Sequence, residues 1–121
     1  MADSQEFIAF IKEQMAGFAP VTIRRMFGGA GAFHEGLMFA LIVNDALYLK
    51  ADDETKSAFE AEGLQPFTYD TKNGKRTVMS YWRAPERCHD DHDEMRDWAR
   101  RAYGVALRAV KAKPAKKKKK S

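Results

Sequence analysis

Apolar residues recur every three or four positions near each end of the chain, which predicts two amphipathic helices. The first begins at residues 3–6, where side-chain acceptors can cap free amides, and runs to about Ala16, before Gly17. Its apolar stripe is Phe7, Ile8, Ile11, Met15 and Phe18. The second begins near residue 90 or 91. Its apolar stripe is Met95, Trp98, Ala99, Ala102, Ala106 and Val110. Both stripes are typical of helix faces that pack on a core.

Strand patterns occupy the middle of the chain. Residues 37–43 are apolar throughout, which is typical of a strand at the centre of a sheet. Residues 47–50 alternate between apolar and polar side chains, as half-buried strands do. The alternation in residues 22–35 loses its phase, and a one-residue bulge or bend at Gly28-Gly29 would restore it. We therefore interpret residues 22–35 as one bent strand rather than two.

Short turns join the strand patterns. Glu35-Gly36 and Asn44-Asp45 each separate two strands by about two residues, and Asn73-Gly74 joins residues 67–71 to residues 76–82. A short helix that residues 52–54 open lies between the two hairpin groups. The order α-β-β-β-α-β-β-α predicts an α+β two-layer domain with three helices and a five-stranded antiparallel sheet. The open edges of such a sheet are compatible with a homodimer.

Charge divides the chain into an acidic body and a basic end. Residues 1–110 contain 14 Lys and Arg against 17 Asp and Glu, a net charge of −3, whereas the whole chain has +4. The basic end contains Lys111, Lys113, Lys116, Lys117, Lys118, Lys119 and Lys120. The chain length predicts one domain over residues 1–112. Five consecutive lysines with no apolar neighbour to bury predict a disordered tail over residues 113–121.

Neither the composition nor the N-terminus indicates export or a membrane. No apolar run approaches the ~18 to 20 residues that span a bilayer. The N-terminal MADSQEF is acidic where a signal peptide would be basic. The single cysteine, Cys88, excludes an internal disulfide and suits a reducing compartment. We therefore expect a cytoplasmic protein.

The glycine-rich run at residues 28–31 is a candidate phosphate site, because glycine amides can approach an anion closely. It has neither the dinucleotide fingerprint nor a following Lys-Ser or Lys-Thr. It also leads into a strand, so no helix N-terminus would face a ligand. We interpret the run as the bend of the strand.

Residues 88–92, Cys-His-Asp-Asp-His, contain ligand types that zinc accepts. A structural zinc site needs a second ligand cluster, and the remaining histidine, His34, lies on a distant strand. Cys88 and His89 are also adjacent and lack a third group that would orient a nucleophile pair. We interpret these residues as a polar loop before a helix, and we predict no metal, no cofactor and no catalytic residue. Cys88, His89 and His92 are then dispensable.

Three basic side chains form another candidate. Arg24 and Arg25 precede the glycine bend and could bind an anion or a partner together with Lys50. The alternative is that one of the two arginines faces solvent or pairs with an acid such as Asp52 or Glu60.

Two features of the sequence relate to nucleic acids. Tyr81 and Trp82 could stack bases on a sheet, but the aromatic motif of RNA-binding modules is absent and core packing is favoured. The seven lysines of the basic end could bind nucleic acid weakly and without sequence specificity, because each neutralised phosphate releases counterions. The alternative for the lysine tail is a merely solubilising role.

Several short motifs follow one another in a specific order between about residues 7 and 108. They are RRMFGG at residues 24–29, G-x-MFAL at 36–41, LYLK at 47–50, PF-x-Y at 66–69, MSY at 79–81 and WARRA at 98–102. This series resembles the N-terminal domain of the TfoX/Sxy family. The family takes its name from bacterial proteins that promote natural competence by assisting transcription of competence genes. Longer members add a C-terminal domain that resembles DNA-binding helical modules, so the resemblance implies a short, stand-alone member here.

The resemblance implies a function without a catalytic residue set. We expect a non-enzymatic regulatory or adaptor domain that contacts a protein partner in transcription regulation, with a tail that binds nucleic acid non-specifically. The alternative is a small-ligand or metal-binding domain that uses the Arg24 and Arg25 region or the Cys88 and His92 region.

Overall fold

A computed structural model describes residues 5–26 and 28–112 of the protein. In chain order its elements are α1 (Gln5–Met15), β1 (Thr22–Met26), β2 (Gly29–His34), β3 (Leu37–Val43), β4 (Ala46–Lys50), α2 (Lys56–Ala61), β5 (Pro66–Thr71), β6 (Gly74–Arg83) and α3 (His92–Ala112). A short 3₁₀ helix, Glu86–His89, connects β6 to α3. The predicted cap at residues 3 and 4, the predicted tail at 113–121 and Phe27 lie outside the described residues.

The strands form one six-stranded antiparallel sheet in the order β1-β2-β3-β4-β6-β5. Helix α3 packs on β3 and β4 at the centre of the sheet, α1 packs against α3 and β1, and α2 packs against β6. The buried side chains of all three helices join one core with side chains from the same face of the sheet. The predicted α+β class with three helices and an antiparallel sheet is therefore confirmed.

The predicted number of strands, five, is wrong by one. Residues 22–35 form two strands, which pair from Thr22 opposite Phe33 to Met26 opposite Gly29. Between them Gly28 has a φ of 81°, a left-handed conformation that glycine adopts without a steric penalty. A bend within one strand and a tight reversal between two short strands disturb the alternation in the same way. The sequence pattern could not separate them, and the structure shows the reversal.

A bulge does occur, but it lies on β3 and not at Gly28-Gly29. Ala32 lies opposite Ala40, whereas Phe33 lies opposite Met38, so β3 contains one extra residue at this point. The extra residue places both Phe39 and Ala40 in the core, and neither is exposed to solvent.

The three predicted hairpin turns are confirmed. Asn44 and Asp45 both have positive φ, 52° and 56°, as the two central residues of a type I′ turn do. Glu35 with Gly36 also has two positive φ values, and Gly74 follows Asn73 in the β5–β6 turn with a φ of 113°.

The core lies between the sheet and the helices. The ring of Phe59 packs 5.0 Å from that of Trp98 and 6.0 Å from that of Trp82. Both predicted helix stripes face this core, with Ile11 and Met95 fully buried. Val110 is the exception, because the buried residues of α3 end at Ala106 and the last turn of the helix continues past them, leaving Val110 exposed.

Aspartates accept backbone amides at the start of α3 and in the turn before α2, close to where the sequence predicts these helices to begin. The Asp91 carboxylate accepts the amides of Asp93 and Glu94 at the start of α3. The Asp52 carboxylate accepts the amides of Glu54 and Thr55 ahead of α2.

Candidate functional site

Within residues 5–26 and 28–112, no helix packs on the second face of the sheet, which we call the open face. Because strand side chains alternate, Met26, Leu41 and Val43 point to this face and away from the core. They form part of an apolar groove of about 480 Å³. The groove is lined by Met26, Gly29, Ala30, Leu41, Val43, Phe67 and Tyr69.

The β5–β6 hairpin provides one wall of the groove. Pro66 lies opposite Trp82, but the next residue, Phe67, lies opposite Val78, so β6 contains three extra residues at this point. Such an irregularity bends a strand. The Phe67 ring then packs 5.0 Å from that of Tyr48 on β4 and stacks on the Tyr69 ring at 5.9 Å. The two edge strands of the sheet, β1 and β5, therefore both contribute to the groove.

Strand β2 contributes Gly29 to the lining of the groove, and Gly31 lies two residues further along the same strand. A Cβ atom on Gly29 would lie 2.5 Å from the carbonyl oxygen of Ile42, and one on Gly31 would lie 2.7 Å from Sδ of Met38. Neither position has room for a side chain without a shift of its neighbours. Strand β2 also lies between β1 and β3, so its backbone groups pair on both sides. The glycine run thus contributes close strand packing.

Three basic side chains of the open face each lie over an aromatic ring. Such cation–π contacts are worth about 0.5–1 kcal/mol when exposed. The pairs are Arg24 with Phe33 at 5.3 Å, Lys50 with Tyr81 at 5.0 Å and Arg83 with Tyr48 at 6.0 Å. These contacts place positive charge on the same face as the apolar groove.

The structure does not bring the candidate anion-binding residues Arg24, Arg25 and Lys50 together. Arg24 and Arg25 are successive residues of β1, so their side chains point to opposite faces of the sheet. Lys50 lies on β4, three strands away, which is about 14 Å at the usual strand spacing. Arg24 is the one that shares the groove's face with Met26, two residues further along β1.

The site residues predicted from the sequence did not include Phe67, Tyr69 or Arg76. Tyr69 is 45% exposed and lies directly opposite Arg76 in the β5–β6 pairing. Their spacing in the sequence indicates that Phe67 and Tyr69 share a face of β5. Only the bend of β6 places that face against side chains of β3 and β4.

Cys88 and its neighbours are placed apart from the groove. The Cys88 side chain is fully buried in the core. Burial, together with the nearby Glu94 carboxylate, raises the pKa of the Cys88 thiol to about 12, so the neutral thiol persists at physiological pH. The backbone carbonyl of Cys88 accepts a hydrogen bond from Nε2 of the buried Gln14 at 3.0 Å. This environment suits a structural cysteine rather than a nucleophile.

Two histidines, His89 on the 3₁₀ helix and His34 on β2, lie against other elements. The His89 ring lies 5.9 Å from that of Phe7 and 6.0 Å from that of Phe10, and its buried Nδ1 atom has no hydrogen-bond partner among the residues that the structure describes. Nδ1 of His34 lies 2.8 Å from the carbonyl oxygen of Pro20. In the described part of the chain, no three His, Cys, Asp or Glu side chains are grouped so that they could hold a metal ion.

Tyr81 and Trp82 point to opposite faces of β6, and both are buried. Trp82 joins the core, where its Nε1 donates to the carbonyl oxygen of Met79. Tyr81 is buried under Lys50 on the open face, and this burial raises the pKa of its hydroxyl to about 12. Neither ring is available for stacking on a base.

Ion pairs tie the helical layer together. The Arg108 guanidinium on α3 donates to the Asp52 carboxylate at 2.8 Å. Burial acts to raise the pKa of the Asp52 carboxyl. The Arg108 guanidinium and the backbone amides of Thr55 and Glu54 outweigh burial, so the pKa is lowered. Between Arg87 and Glu62, hydrogen bonds raise the pKa of the guanidinium and lower the pKa of the carboxyl.

Lys111 is exposed in the last turn of α3. The other lysines of the predicted nucleic-acid segment, Lys113, Lys116, Lys117, Lys118, Lys119 and Lys120, lie outside the described residues. Among the helices that the structure describes, none has the length and apolar content to cross a bilayer.

Comparison with known proteins supports the resemblance that the sequence motifs suggested. The family model of the TfoX N-terminal domain matches residues 13–106. The DNA transformation protein TfoX1 of Aliivibrio fischeri is 38% identical over 55 residues, which cover 46% of this chain and 26% of that protein. The match thus spans about a quarter of the relative's length. Because the family model covers most of the chain, including all six strands, the protein belongs to the TfoX N-terminal domain family.

Proposed function

We propose that this domain is a non-enzymatic regulatory adaptor that binds a protein partner in transcription regulation through the groove of its open face. The observation that carries the proposal is an apolar groove on a sheet face that the described helices leave uncovered. Exposed apolar surface of this kind is typical of sites where proteins bind other molecules. Family membership supports the regulatory role, since a relative of this chain is named a DNA transformation protein. We expect the domain to act in the cytoplasm.

The chemistry of the groove favours binding over catalysis. Among its seven lining residues, the Tyr69 hydroxyl is the one polar side-chain group. General acid–base or nucleophilic catalysis needs positioned carboxylate, imidazole, thiol or similar groups. Cys88, the one thiol, is buried in the core on the other side of the sheet.

A photo-cross-linking experiment tests the proposal. A photoreactive amino acid replaces Tyr69 in the groove or, as a matched control, Leu107 on α3. Both native side chains are 45% exposed, so the two probes have similar access to solvent. We expect the probe at position 69 to capture a transcription protein, identified by mass spectrometry, in living cells. Capture of the same proteins from both positions, or of none from position 69, would contradict the proposal.

We also propose that the basic end binds nucleic acid non-specifically through Lys111, Lys113 and Lys116 to Lys120. No Asp or Glu follows Asp97 in the sequence, so the C-terminal half of α3 and the lysines after it present only positive charge. Lysine is a point charge without a base-reading fork, so sequence specificity is not expected from it. Seven lysine–phosphate contacts would give a log–log salt slope of at most about −6.

Deletion of residues 113–121 combined with Lys111→Gln tests the role of the basic end. We expect DNA and RNA retention at low salt to disappear while the melting temperature stays unchanged. If the variant retained as much DNA and RNA as the full chain, the proposed role of the basic end would be contradicted.

A native mass spectrum separates the adaptor from a second candidate, a small-ligand or metal-binding domain. The groove volume of about 480 Å³ lies within the range of small-molecule sites. A stoichiometric ligand or metal in the spectrum of purified protein would favour that second function. The same spectrum would reveal a homodimer.

A further inference from the structure

We propose that the segment that occupies the groove is an acidic, apolar peptide of the partner, whose carboxylates contact Arg24 and Arg76 on opposite sides of the groove. This inference rests on the proposed function and adds the chemistry of the partner. It combines two observations. Both edge strands, β1 and β5, line an apolar groove, and beside each of these strands lies an arginine that pairs with no carboxylate of the described residues.

Arg24 flanks the β1 side of the groove. It lies two residues before Met26 on the same strand, so both side chains point to the open face. The residue is exposed, and its guanidinium lies 5.3 Å from the centre of the Phe33 ring. No carboxylate of the described residues lies within ion-pair distance of Arg24. The ring contact holds the cation in place and leaves its charge available to a ligand.

Arg76 flanks the β5 side. It lies directly opposite Tyr69 in the β5–β6 pairing, which places the two side chains on one face with their Cβ atoms about 4.5–5.5 Å apart. Arg76 is exposed, and in the described part of the chain no carboxylate pairs with it. Its neighbour on the hairpin, Lys75, does have a partner, the Asp70 carboxylate at 3.2 Å.

The arginines of the helical layer provide the contrast. Those on the 3₁₀ helix and on α3 that contact carboxylates are Arg87, Arg96, Arg100 and Arg108. A protein with a mildly acidic body thus pairs these four arginines internally, whereas in the described part of the chain Arg24 and Arg76 beside the groove, like Arg101 on α3, have no carboxylate within ion-pair distance. Charge complementarity therefore favours an acidic ligand.

The groove suits a peptide better than a nucleic acid. A single strand of nucleic acid binds by stacking bases on aromatic ring faces. On the open face, Arg24 covers Phe33, Lys50 covers Tyr81, and the rings of Phe67 and Tyr69 stack on each other. The remaining lining is largely aliphatic, which suits aliphatic or aromatic side chains of a peptide. The lysine-rich end of this chain is excluded as an occupant because it has the same charge as both arginines.

A set of three fluorescent peptides tests the inference with the full chain. Each is an extended peptide of about nine residues, ~30 Å long, with Leu, Phe and Val at alternate positions and only Glu, only Gln or only Lys between them. Fluorescence anisotropy measures their affinity. We expect the Glu peptide to bind most tightly and the Lys peptide least. Equal or tighter binding of the Lys peptide, or no binding by any peptide at about 1 mM, overturns the inference.

Charge variants locate the binding site. The double variant Arg24→Gln/Arg76→Gln is expected to weaken binding of the Glu peptide about 10-fold, since exposed charge pairs contribute up to about fivefold each. Arg24→Glu/Arg76→Glu is expected to prefer the Lys peptide instead. Arg101→Gln is the matched control, because Arg101 is also exposed over an aromatic ring, that of Trp98 at 4.6 Å, but lies on α3. Equal weakening by the control and the double variant overturns the inference.

The two proposals can fail separately. Cross-linking of a transcription protein at position 69 without preference for the Glu peptide keeps the adaptor function and removes the acidic partner. Preference for the Glu peptide without any cross-linked protein removes the adaptor function and keeps the preference of the groove for an acidic peptide.

Discussion

The two faces of the sheet differ in how their charges and aromatic rings are used. On the helix-covered face, Phe59 packs against both Trp82 and Trp98, and all three rings are nearly inaccessible to solvent. On the open face, Phe67 and Tyr69 line a groove, and Tyr69 is 45% exposed. The helical layer pairs many of its arginines with carboxylates, whereas Arg24 beside the groove lies over an aromatic ring. One face is thus arranged for stability, and the other retains apolar surface that a partner can bury.

The largest expected effect comes from the covered face. Phe59→Ala removes a ring that is 2% exposed and contacts two tryptophans. We expect the free energy of unfolding to fall by about 3–5 kcal/mol, because such truncations lose burial and leave a cavity. Urea denaturation measures the change. A loss as small as that of an exposed position would contradict the division between the two faces.

The next effect concerns strand β2, which contributes Gly29 to the groove. Gly29→Ala brings a Cβ atom to 2.5 Å from the Ile42 carbonyl oxygen, so the strands must shift. Overpacking of this kind costs about 1–3 kcal/mol.

Gly104→Ala on α3 is the matched control for that change. Its Cβ atom would have Arg108 Nη1 as the nearest neighbour at 3.9 Å, an ordinary contact. Alanine in a helix interior is favoured over glycine by about 0.5–1 kcal/mol, so this variant gains stability. The two substitutions should therefore shift the urea midpoint in opposite directions.

A smaller and pH-dependent effect concerns the attachment of α2 to α3. Asp52→Ala removes the acceptor for two amides and for Arg108, at a cost of about 1 kcal/mol at pH 7. The pKa of Asp52 is lowered by folding, so its contribution is present above the unfolded pKa, near 3.9. That contribution is lost as the pH falls through the lower folded-state pKa.

The stability difference between wild type and Asp52→Ala should therefore shrink below about pH 4. Asp53→Ala is the control, since the Asp53 side chain is fully exposed and lies 3.8 Å from Lys56 Nζ. We expect no measurable change from it at any pH. If the stability difference between wild type and Asp52→Ala stayed the same below about pH 4, the assigned direction of the Asp52 pKa shift would be contradicted.

The smallest expected change in stability belongs to the open face. Tyr69→Ala removes a half-exposed ring that stacks on Phe67, and we expect a cost of about 0.5–1 kcal/mol. The same variant should lose most of its affinity for the Glu peptide. A large loss of stability would show that the ring is needed for folding, and would weaken the interpretation of the groove as a binding surface.

Much of the fold could be predicted from local patterns, because each of those patterns has a local cause. The helix stripes that contain Ile11 and Met95 face the core as their spacing indicates. The positive φ values of Asn44 and Asp45 agree with the two-residue hairpin that the sequence predicts. The prediction of one strand over residues 22–35 was wrong, because a loss of alternation reports a break in phase but not the angle through which the chain then turns.

The candidate site could not be predicted in the same way. Charge alone groups Arg24, Arg25 and Lys50, but strand order separates Lys50 from the arginines and alternation separates the arginines from each other. Conversely, nothing local relates Met26 to Tyr69, which lie on the two edge strands of the sheet. The bend of β6 between the partners of Pro66 and Phe67 brings their elements to one groove.

The sequence by itself determined the family, the α+β class, the core-facing stripes, the tight turns and the separation of an acidic body from a basic end. These properties depend on residue type and spacing along the chain, which periodicity and turn chemistry govern. Only the tertiary structure decided the sixth strand, the open face and the groove with Arg24 and Arg76 beside it. Those features depend on strand order and on the curvature of β6, and both are set by packing between residues that are distant in the chain.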